Sequence, residues 1–475
     1  MDQSINELNK SMFLAYSVVP ISDVDGRLDA EHYDKEALQS VRYISSLPNT
    51  VPLRQLAKVV SGPFGSSLHA SAYQDRGIPF IRASNVKQLF ISGDLVHISR
   101  TDHERLNSSR LKTNDIVMYK IGAGLGNIGL LTEDFDEANI SENMIGIIPY
   151  NKDASAFLAV FLLTKYGQLQ IQRQVSYQAQ PKMNVADIVN IQVPKPDEPF
   201  RSFISSNVQK SYLKRKEANQ KYKEAESILV MTLGEGLVDQ SSSITYLSGN
   251  NAVMKSTNLR LDADYYGSAY SKGNDSISKS VLFRDIAQVV TDVIDPTQEP
   301  SRYIRYISIK DINAATGEVE QFESISGWKA PSRARLLVKA RDILLSSLKG
   351  SLDKVGIVPN DLDGAIASTG FFVIRELGKN FPAEALFMLL RTPFVKNQLQ
   401  RKASGAIMEA ISSKEFKSIW VPDIRGDESI ELITSLVNES FNLRRESRHY
   451  IEQAKTEVEY YIERSCRNDS TFKQQ

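Results

Sequence analysis

Arg27-Leu-Asp-Ala-Glu-His-Tyr33 is written again, almost unchanged, as Arg260-Leu-Asp-Ala-Asp-Tyr-Tyr266. The two starts lie 233 positions apart (260 − 27), close to half of the 475 residues. The text after each copy also matches, in the same order and at nearly the same offset. Val51-Pro-Leu-Arg-Gln-Leu-Ala-Lys-Val-Val60 has its counterpart in Phe283-Arg-Asp-Ile-Ala-Gln-Val-Val290, with Leu53 matching Phe283. Phe80-Ile-Arg-Ala-Ser-Asn-Val86 parallels Tyr306-Ile-Ser-Ile-Lys-Asp-Ile312, and Asn114-Asp-Ile-Val117 parallels Arg341-Asp-Ile-Leu344. Leu162-Leu-Thr-Lys165 pairs with Leu389-Leu-Arg-Thr392, and each copy closes on valine-proline, at Val193-Pro194 and Val421-Pro422. A drift of a few residues is what loop insertions produce. One unit is therefore written twice, and a function that needs two similar sites is expected.

A long helical period follows each mixed stretch. Ile204, Val208, Tyr212, Arg215, Ala218, Tyr222, Ala225 and Leu229 recur every three or four residues, as do Ile433, Val437, Phe441, Arg444, Arg448, Ile451, Ala454 and Val458. That is the seam of a helix packed on another helix. At about 1.5 Å per residue, some 35 residues make a rod of roughly 50 Å. Two such helices, separated by a large domain, are expected to pair antiparallel. Residues 236–259 are rich in Ser, Asn and Gly and read as a connection.

Composition narrows the function. The chain is 41% hydrophobic and 24% charged, with zero formal net charge. Nucleic-acid binding would therefore come from local basic patches and not from a global field. No apolar run approaches the roughly 18 residues of a membrane helix. The acidic, polar start Met-Asp-Gln-Ser-Ile-Asn-Glu is not expected to be a signal peptide. The single cysteine, Cys466, fits a reducing cytoplasm.

Catalytic motifs are not legible. Gly124-Leu-Gly-Asn-Ile-Gly129 fits a dinucleotide fingerprint, but that loop must open a helix. Here Leu130-Leu-Thr-Glu-Asp-Phe-Asp136 follows, reading as strand and turn, and the second copy keeps few of the glycines. A turn between strands is expected. His32, His69, His97, His103 and His449 show no metal spacing. What remains is polar and basic text at matching loop positions. In the first copy it comprises Arg82, Ser84, Asn85, Lys87, Lys120, Gln178, Gln180 and Lys182. In the second it comprises Ser308, Lys310, Lys349, Arg401 and Lys402. Arg and Lys suit guanine edges and phosphates, and Asn and Gln suit adenine. The copies keep a framework and differ in these loops, as two modules reading different sequences would. Lys210, Lys214, Lys221 and Lys223 add a basic stripe to the first helix.

These features together resemble the specificity (S) subunit of Type I restriction–modification systems. The resemblance rests on Leu53-Arg-Gln-Leu-Ala-Lys-Val-Val60, Gly77-Ile-Pro-Phe-Ile-Arg-Ala-Ser-Asn85, Asn114-Asp-Ile-Val117 and the ending Gln180-Pro-Lys-Met-Asn184 through Val193-Pro194, and it is completed by the two-fold repeat with a long helix after each half. It implies an α+β fold: two pseudo-symmetric mixed α/β target recognition domains joined by two long antiparallel helices. The implied division is a lead-in at 1–50, recognition domains at 51–196 and 281–424, a central helix at 197–235, a linker at 236–280 and a C-terminal helix at 425–475. It further implies double-stranded DNA as ligand, with two half-sites spaced by the helices. Two modification (methyltransferase) subunits and restriction subunits would be partners, carrying S-adenosylmethionine, ATP and Mg. The chain itself would be non-catalytic, cytoplasmic and nucleoid-associated, without membrane contact. Arg27, Asp29, Arg260 and Asp262 are candidates for partner docking. Two other readings stand beside this one: a recognition subunit of another methylation or phage-defence complex, and a coiled-coil adaptor that binds no DNA.

Overall fold

A computed structural model describes residues 19–21, 24, 27, 29–63, 65–87, 89–176, 181–234, 280–376, 381–405 and 409–467. The expected linker, with Arg260 and Asp262, lies outside the described residues except at its last position. The chain divides into two compact units, residues 1–215 with 444–475 and residues 216–443.

The first unit holds strands β1 (Val51–Pro52), β2 (Ala57–Ser61), β3 (Ile78–Ile81), β4 (Val86–Lys87), β5 (Leu89–Ile91) and β6 (Val96–Ile98). It continues with β7 (Arg110–Lys112), β8 (Ile116–Tyr119), β9 (Ile128–Leu130), β10 (Glu137–Ile140), β11 (Met144–Pro149) and β12 (Gln192–Val193). Its helices are α1 (Lys35–Ser45), α2 (Arg100–Arg105), α3 (Ser155–Leu163), α4 (Lys165–Arg173), α5 (Val185–Ile188) and the start of α6 (Glu198–Leu233). The strands form sheets β2-β11-β8-β9-β5-β4, β6-β3-β10-β7 and the pair β1-β12.

The second unit holds β13 (Ser280–Leu282), β14 (Ala287–Val290), β15 (Tyr303–Ile307), β16 (Glu323–Ser326) and β17 (Ala334–Leu337). Then come β18 (Ile343–Ser346), β19 (Val355–Ile357), β20 (Ile366–Ser368), β21 (Phe371–Glu376) and β22 (Trp420–Pro422). Its helices are α7 (Ala383–Leu390), α8 (Pro393–Lys402), α9 (Ser413–Phe416) and the start of α10 (Ser429–Arg467). The sheets run β14-β21-β18-β19, β16-β15-β20-β17 and β13-β22. Strand for strand this is the topology of the first unit without β4 and β5. In the sheets β6-β3-β10-β7 and β16-β15-β20-β17 the central contact is parallel, β3 with β10 and β15 with β20.

The repeated phrases are repeated physical devices. Leu53 and Phe283 are fully buried, and their backbone N–H groups donate to Ile191 O at 2.8 Å and Ile419 O at 2.9 Å. Asn114 and Arg341 hold left-handed backbone, φ 66° and 70°, in the turn entering β8 and β18. The next residue closes that turn: Asp115 accepts from Lys112 N at 2.7 Å, and Asp342 from Lys339 N at 2.8 Å. Both carboxylates are almost completely buried. A buried charge needs a partner. Lys152 serves Asp115, whereas Arg375 grips Asp342 through Nε and Nη2 at 2.7 Å each.

Caps correct one text alignment. Thr164 accepts from Gly167 N at 3.3 Å to open α4, and Thr392 accepts from Val395 N at 3.4 Å to open α8. Thr164 therefore matches Thr392, one place along from the pairing the letters suggest. Within the expected polar lead-in, α1 is a real helix, capped by Asp34 and burying Ala37, Ser40 and Ile44. The Gly124–Gly129 stretch runs from the turn after β8 into the antiparallel strand β9, and no α-helix opens there.

The two long helices span 36 and 39 residues, and each gives one stretch to each unit. In the first unit Ser211 Oγ donates to Ser447 O at 2.8 Å, and Lys214 meets Glu446 at 2.8 Å. In the second unit Ser440 Oγ donates to Ala218 O at 2.8 Å, and Lys221 meets Glu439 at 2.8 Å. Ser211 and Ser440 are repeat equivalents, as are Ala218 and Ser447, so one bond is made in each unit. In both units the pairing runs antiparallel. Small residues seven apart on each helix let the backbones approach. The seam then merges with the domain core. Ile451, Ala454, Val458 and Ile462 join Phe157 and Phe161 in the first unit. Tyr222, Ala225 and Leu229 join Phe387 and Ile433 in the second.

The turn makes an asymmetric prediction. Asn114→Gly should stabilise the chain by about 0.5 kcal/mol, because glycine holds positive φ without strain. Arg341→Gly should destabilise it, since Arg341 also pairs with buried Glu384 at 2.9 Å. Urea unfolding of the full chain measures both, and equal signs would contradict the assignment.

Candidate nucleic-acid interface

The first loop cluster follows β3 and β15. Asn85 folds back on Arg82: its Oδ1 accepts from Arg82 N at 3.0 Å, and its Nδ2 donates to Ser92 O at 3.2 Å and Asp94 O at 3.1 Å. Only 1% of Asn85 is exposed. Arg82 donates from Nη2 to Asp94 O at 3.0 Å and lies over the Tyr73 ring at 5.9 Å. Ser84 is exposed on the outside of this turn. In the second unit Ser308 donates from its backbone N–H and its hydroxyl to Asp311 Oδ2, at 2.7 and 2.6 Å. Lys310, at the place of Ser84, is exposed and bonds Glu323 at 2.6 Å, which holds its ammonium above the usual lysine range. Asn85 and Ser308 thus take part in the capping boxes of these two turns.

The second cluster extends β8 and β18. Lys120 donates its N–H to Asn143 O at 3.0 Å, and its carbonyl accepts from Met183 N at 3.0 Å. Ser176 and Lys182 exchange two backbone bonds, 2.8 and 3.1 Å, and Gly122 N donates to Pro181 O at 2.8 Å. A returning loop is thereby laid along the end of β8. In the second unit Ile411 N donates to Ser347 O at 2.8 Å and Lys349 N to Glu409 O at 3.0 Å, while Ser404 and Ala410 exchange bonds of 3.0 and 2.9 Å. Ser176 matches Ser404 and Lys182 matches Ala410. The backbone frame is one frame, but its side chains differ.

Lys120 Nζ donates to Ser61 Oγ at 2.6 Å at the end of β2. Burial pushes the Lys120 ammonium below the usual lysine range, the charge of Lys182 pushes the same way, and Glu142 opposes both. In the second unit Lys349 is paired with Glu409 at 2.8 Å. The two clusters adjoin in the first unit, because Ser141 N donates to Ile81 O at 2.9 Å two residues before Asn143. Ser61, Tyr73 and Glu142 thus belong to the site, and no repeated text marked them. Lys402 does not present itself outward. It ties α8 to α9 through Glu415 at 3.2 Å and Ser418 at 2.8 Å, with its side chain 14% exposed. Arg401 lies in the last turn of α8 and Lys87 ends β4. Gln178 and Gln180 lie outside the described residues.

The first copy of the Arg-Leu-Asp-Ala phrase is folded inward. Arg27 bonds Asp29 through Nε at 2.9 Å and also through Nη2. Nη1 donates to Gln174 O at 3.2 Å and Nη2 to Val175 O at 2.8 Å, just beyond the end of α4. His32 Nδ1 lies 2.8 Å from Arg173 O, and Tyr33 Oη donates to Arg27 O at 2.8 Å. The Arg27 side-chain bond holds the Asp29 carboxyl below its usual range. A carboxyl lowered by folding contributes stability above its ordinary pKa and loses it as pH falls through the lowered value. Arg27 and Asp29 make these contacts within the first unit.

Among the described residues no helix is long and apolar enough to cross a membrane, and no three His, Cys, Asp or Glu side chains are grouped to hold a metal. Three solved chains are similar over most of their length. The S subunit of a Type-I restriction–modification system from M. genitalium is 9% identical, covering 89% of this chain and 96% of its own, with a TM-score of 0.37. The HsdS subunit from Thermoanaerobacter tengcongensis is 11% identical, covering 88% and 96%, with a TM-score of 0.27. A chain from work on complex assembly and conformational transition of the type I R-M system is 13% identical, covering 89% and 99%, with a TM-score of 0.29. No curated protein matches the sequence. Residues 49–215, which carry both loop clusters of the first unit, match the family described as the Type I restriction modification DNA specificity domain. That match covers residues 49–215, and what it says of the family is said of this stretch alone.

Proposed function

We propose that the chain reads a bipartite, asymmetric site on double-stranded DNA, one half with each unit. The observation that carries this reading is the pair of equivalent loop frames with unlike side chains. Arg82, Ser84, Lys87, Lys120, Gln178, Gln180 and Lys182 serve one half-site, and Lys310, Lys349 and Arg401 the other. Lys120 and Lys182 repel one another in a partly buried place. A phosphate there would offset that repulsion. The chain is a non-catalytic guide. Two modification subunits bring S-adenosylmethionine, and restriction subunits bring ATP and Mg, to a complex at the nucleoid in the cytoplasm. The long helices set the gap between half-sites, since a turn of DNA is about 34–36 Å.

Selection from a random duplex library, with the modification subunits present, should enrich two short motifs at fixed spacing. Enrichment of no bipartite motif would sink the proposal. Exchanging residues 51–196 for another member's domain should change one motif and leave the other. Single variants separate the roles. Lys120→Ala should lower the slope of log affinity against log salt by about 1, as one phosphate contact is lost. Asn85→Ala should instead cost about 2 kcal/mol of stability by removing a buried cap. A salt slope moved by Asn85→Ala and untouched by Lys120→Ala would reverse these assignments.

A further inference from the structure

In the first unit Lys120 follows β8, and its backbone makes a defined pattern of bonds. Lys120 N donates to Asn143 O at 3.0 Å, and Lys120 O accepts from Met183 N at 3.0 Å. In the second unit the same pattern falls on Ser347, which follows β18. Its N–H donates to Gly370 O at 2.8 Å, and its carbonyl accepts from Ile411 N at 2.8 Å. The next residues agree, since Ile121 bridges Lys182 and Leu348 bridges Ala410. Ser347 therefore stands where Lys120 stands. It carries no charge, and its hydroxyl donates back to Gly370 O at 2.9 Å.

A different cation stands beside that frame. Thr369, next to Gly370, donates its N–H to Arg333 O at 2.8 Å, just before β17. Arg333 is exposed, whereas Ala334 beside it is fully buried. Among the described residues the Arg333 guanidinium has no ion pair and no hydrogen bond. Its neighbours are neutralised: Lys310 meets Glu323 at 2.6 Å, and Lys349 meets Glu409 at 2.8 Å. Strand direction fixes the place of Arg333. Because β20 runs parallel to β15 and antiparallel to β17, the start of β17 lies at the sheet end that carries the Ser308–Asp311 turn. The two turns touch there, as a Cβ on Gly370 would come within 2.8 Å of Ile309 Cδ1.

We infer that Arg333 makes for the second half-site the phosphate contact that Lys120 makes for the first. The inference rests on the DNA-recognition reading above. The fork of a guanidinium matches two phosphate oxygens, and an exposed cation without a carboxylate keeps its whole charge for a ligand. Such a contact places the duplex and carries no base preference of its own.

The experiment measures affinity against salt for the full chain assembled with its modification subunits, on a duplex carrying the selected site. Arg333→Ala should leave the melting temperature unchanged, since the side chain bonds nothing in the fold. It should lower the slope of log affinity against log salt by about 1 and leave the base preferences of both half-sites intact. Adding Ser347→Lys to Arg333→Ala puts a lysine at the place Lys120 holds in the first unit, and should restore the lost slope. A slope unmoved by Arg333→Ala overturns the inference. So does blurred base preference in the second half-site, which would make Arg333 a base reader. A double variant that keeps the lowered slope contradicts the equivalence of Ser347 and Lys120. Lys120→Ala separates this inference from the reading beneath it. If Lys120→Ala lowers the slope and Arg333→Ala does not, only the role of Arg333 falls; if neither does, or no bipartite motif is selected, DNA recognition itself fails.

Discussion

Each unit closes its core with residues brought from far along the chain. The first unit takes its last layer from Ile451, Ala454, Val458 and Ile462, all at most 6% exposed. A buried aliphatic side chain stabilises by about 1.5–3 kcal/mol. Three of them match the order of a domain's whole net stability, about 5–15 kcal/mol. The first unit is therefore incomplete until the last long helix arrives. The second unit borrows Tyr222, Ala225 and Leu229 from the helix that begins in the first. A discontinuous core couples the folding of each unit to both long helices.

What the duplication has kept is backbone bonding and charge balance, not residue identity. Asp115 and Asp342 occupy the same buried turn. Their cations come from different positions along the equivalent strand: Lys152 follows β11, and Arg375 stands within its counterpart β21. The requirement is a positive charge within reach of a carboxylate that burial has stripped of water. Any residue that meets it suffices, so the two copies drifted apart in sequence while the topology held.

The same distinction separates what the sequence reveals from what it hides. The repeat, the mixed sheets and the seams are legible because periodicity and order carry them. Leu53 with Phe283, and Val193 with Val421, mark the same buried places. The roles of polar residues are not legible in that way. Asn85 has the donors and acceptors of an adenine reader, but the spacing Arg82-x-x-Asn85 is also that of a cap, as is Ser308-x-x-Asp311. The cap wins, because a buried turn cannot leave its amides unsatisfied. Lys402 resembles a phosphate contact until Glu415, thirteen positions on, is placed beside it. The helix α1 escaped notice because only Ala37, Ser40 and Ile44 face inward, too few to show a stripe.

The loop frames separate what is fixed in each unit from what can vary. In both units the returning loop is held by backbone bonds, Ser176 with Lys182 and Ser404 with Ala410. Backbone bonds do not depend on side-chain type, so the frame tolerates substitution on its outer face. In the first unit that face carries two lysines in mutual repulsion, a cost the fold bears. In the second, the lysine at Lys349 is balanced by Glu409. The difference is one of side-chain charge on an unchanged backbone. Side chains can thus change at these positions while the sheets, the buried aspartates and the helix seams stay as they are.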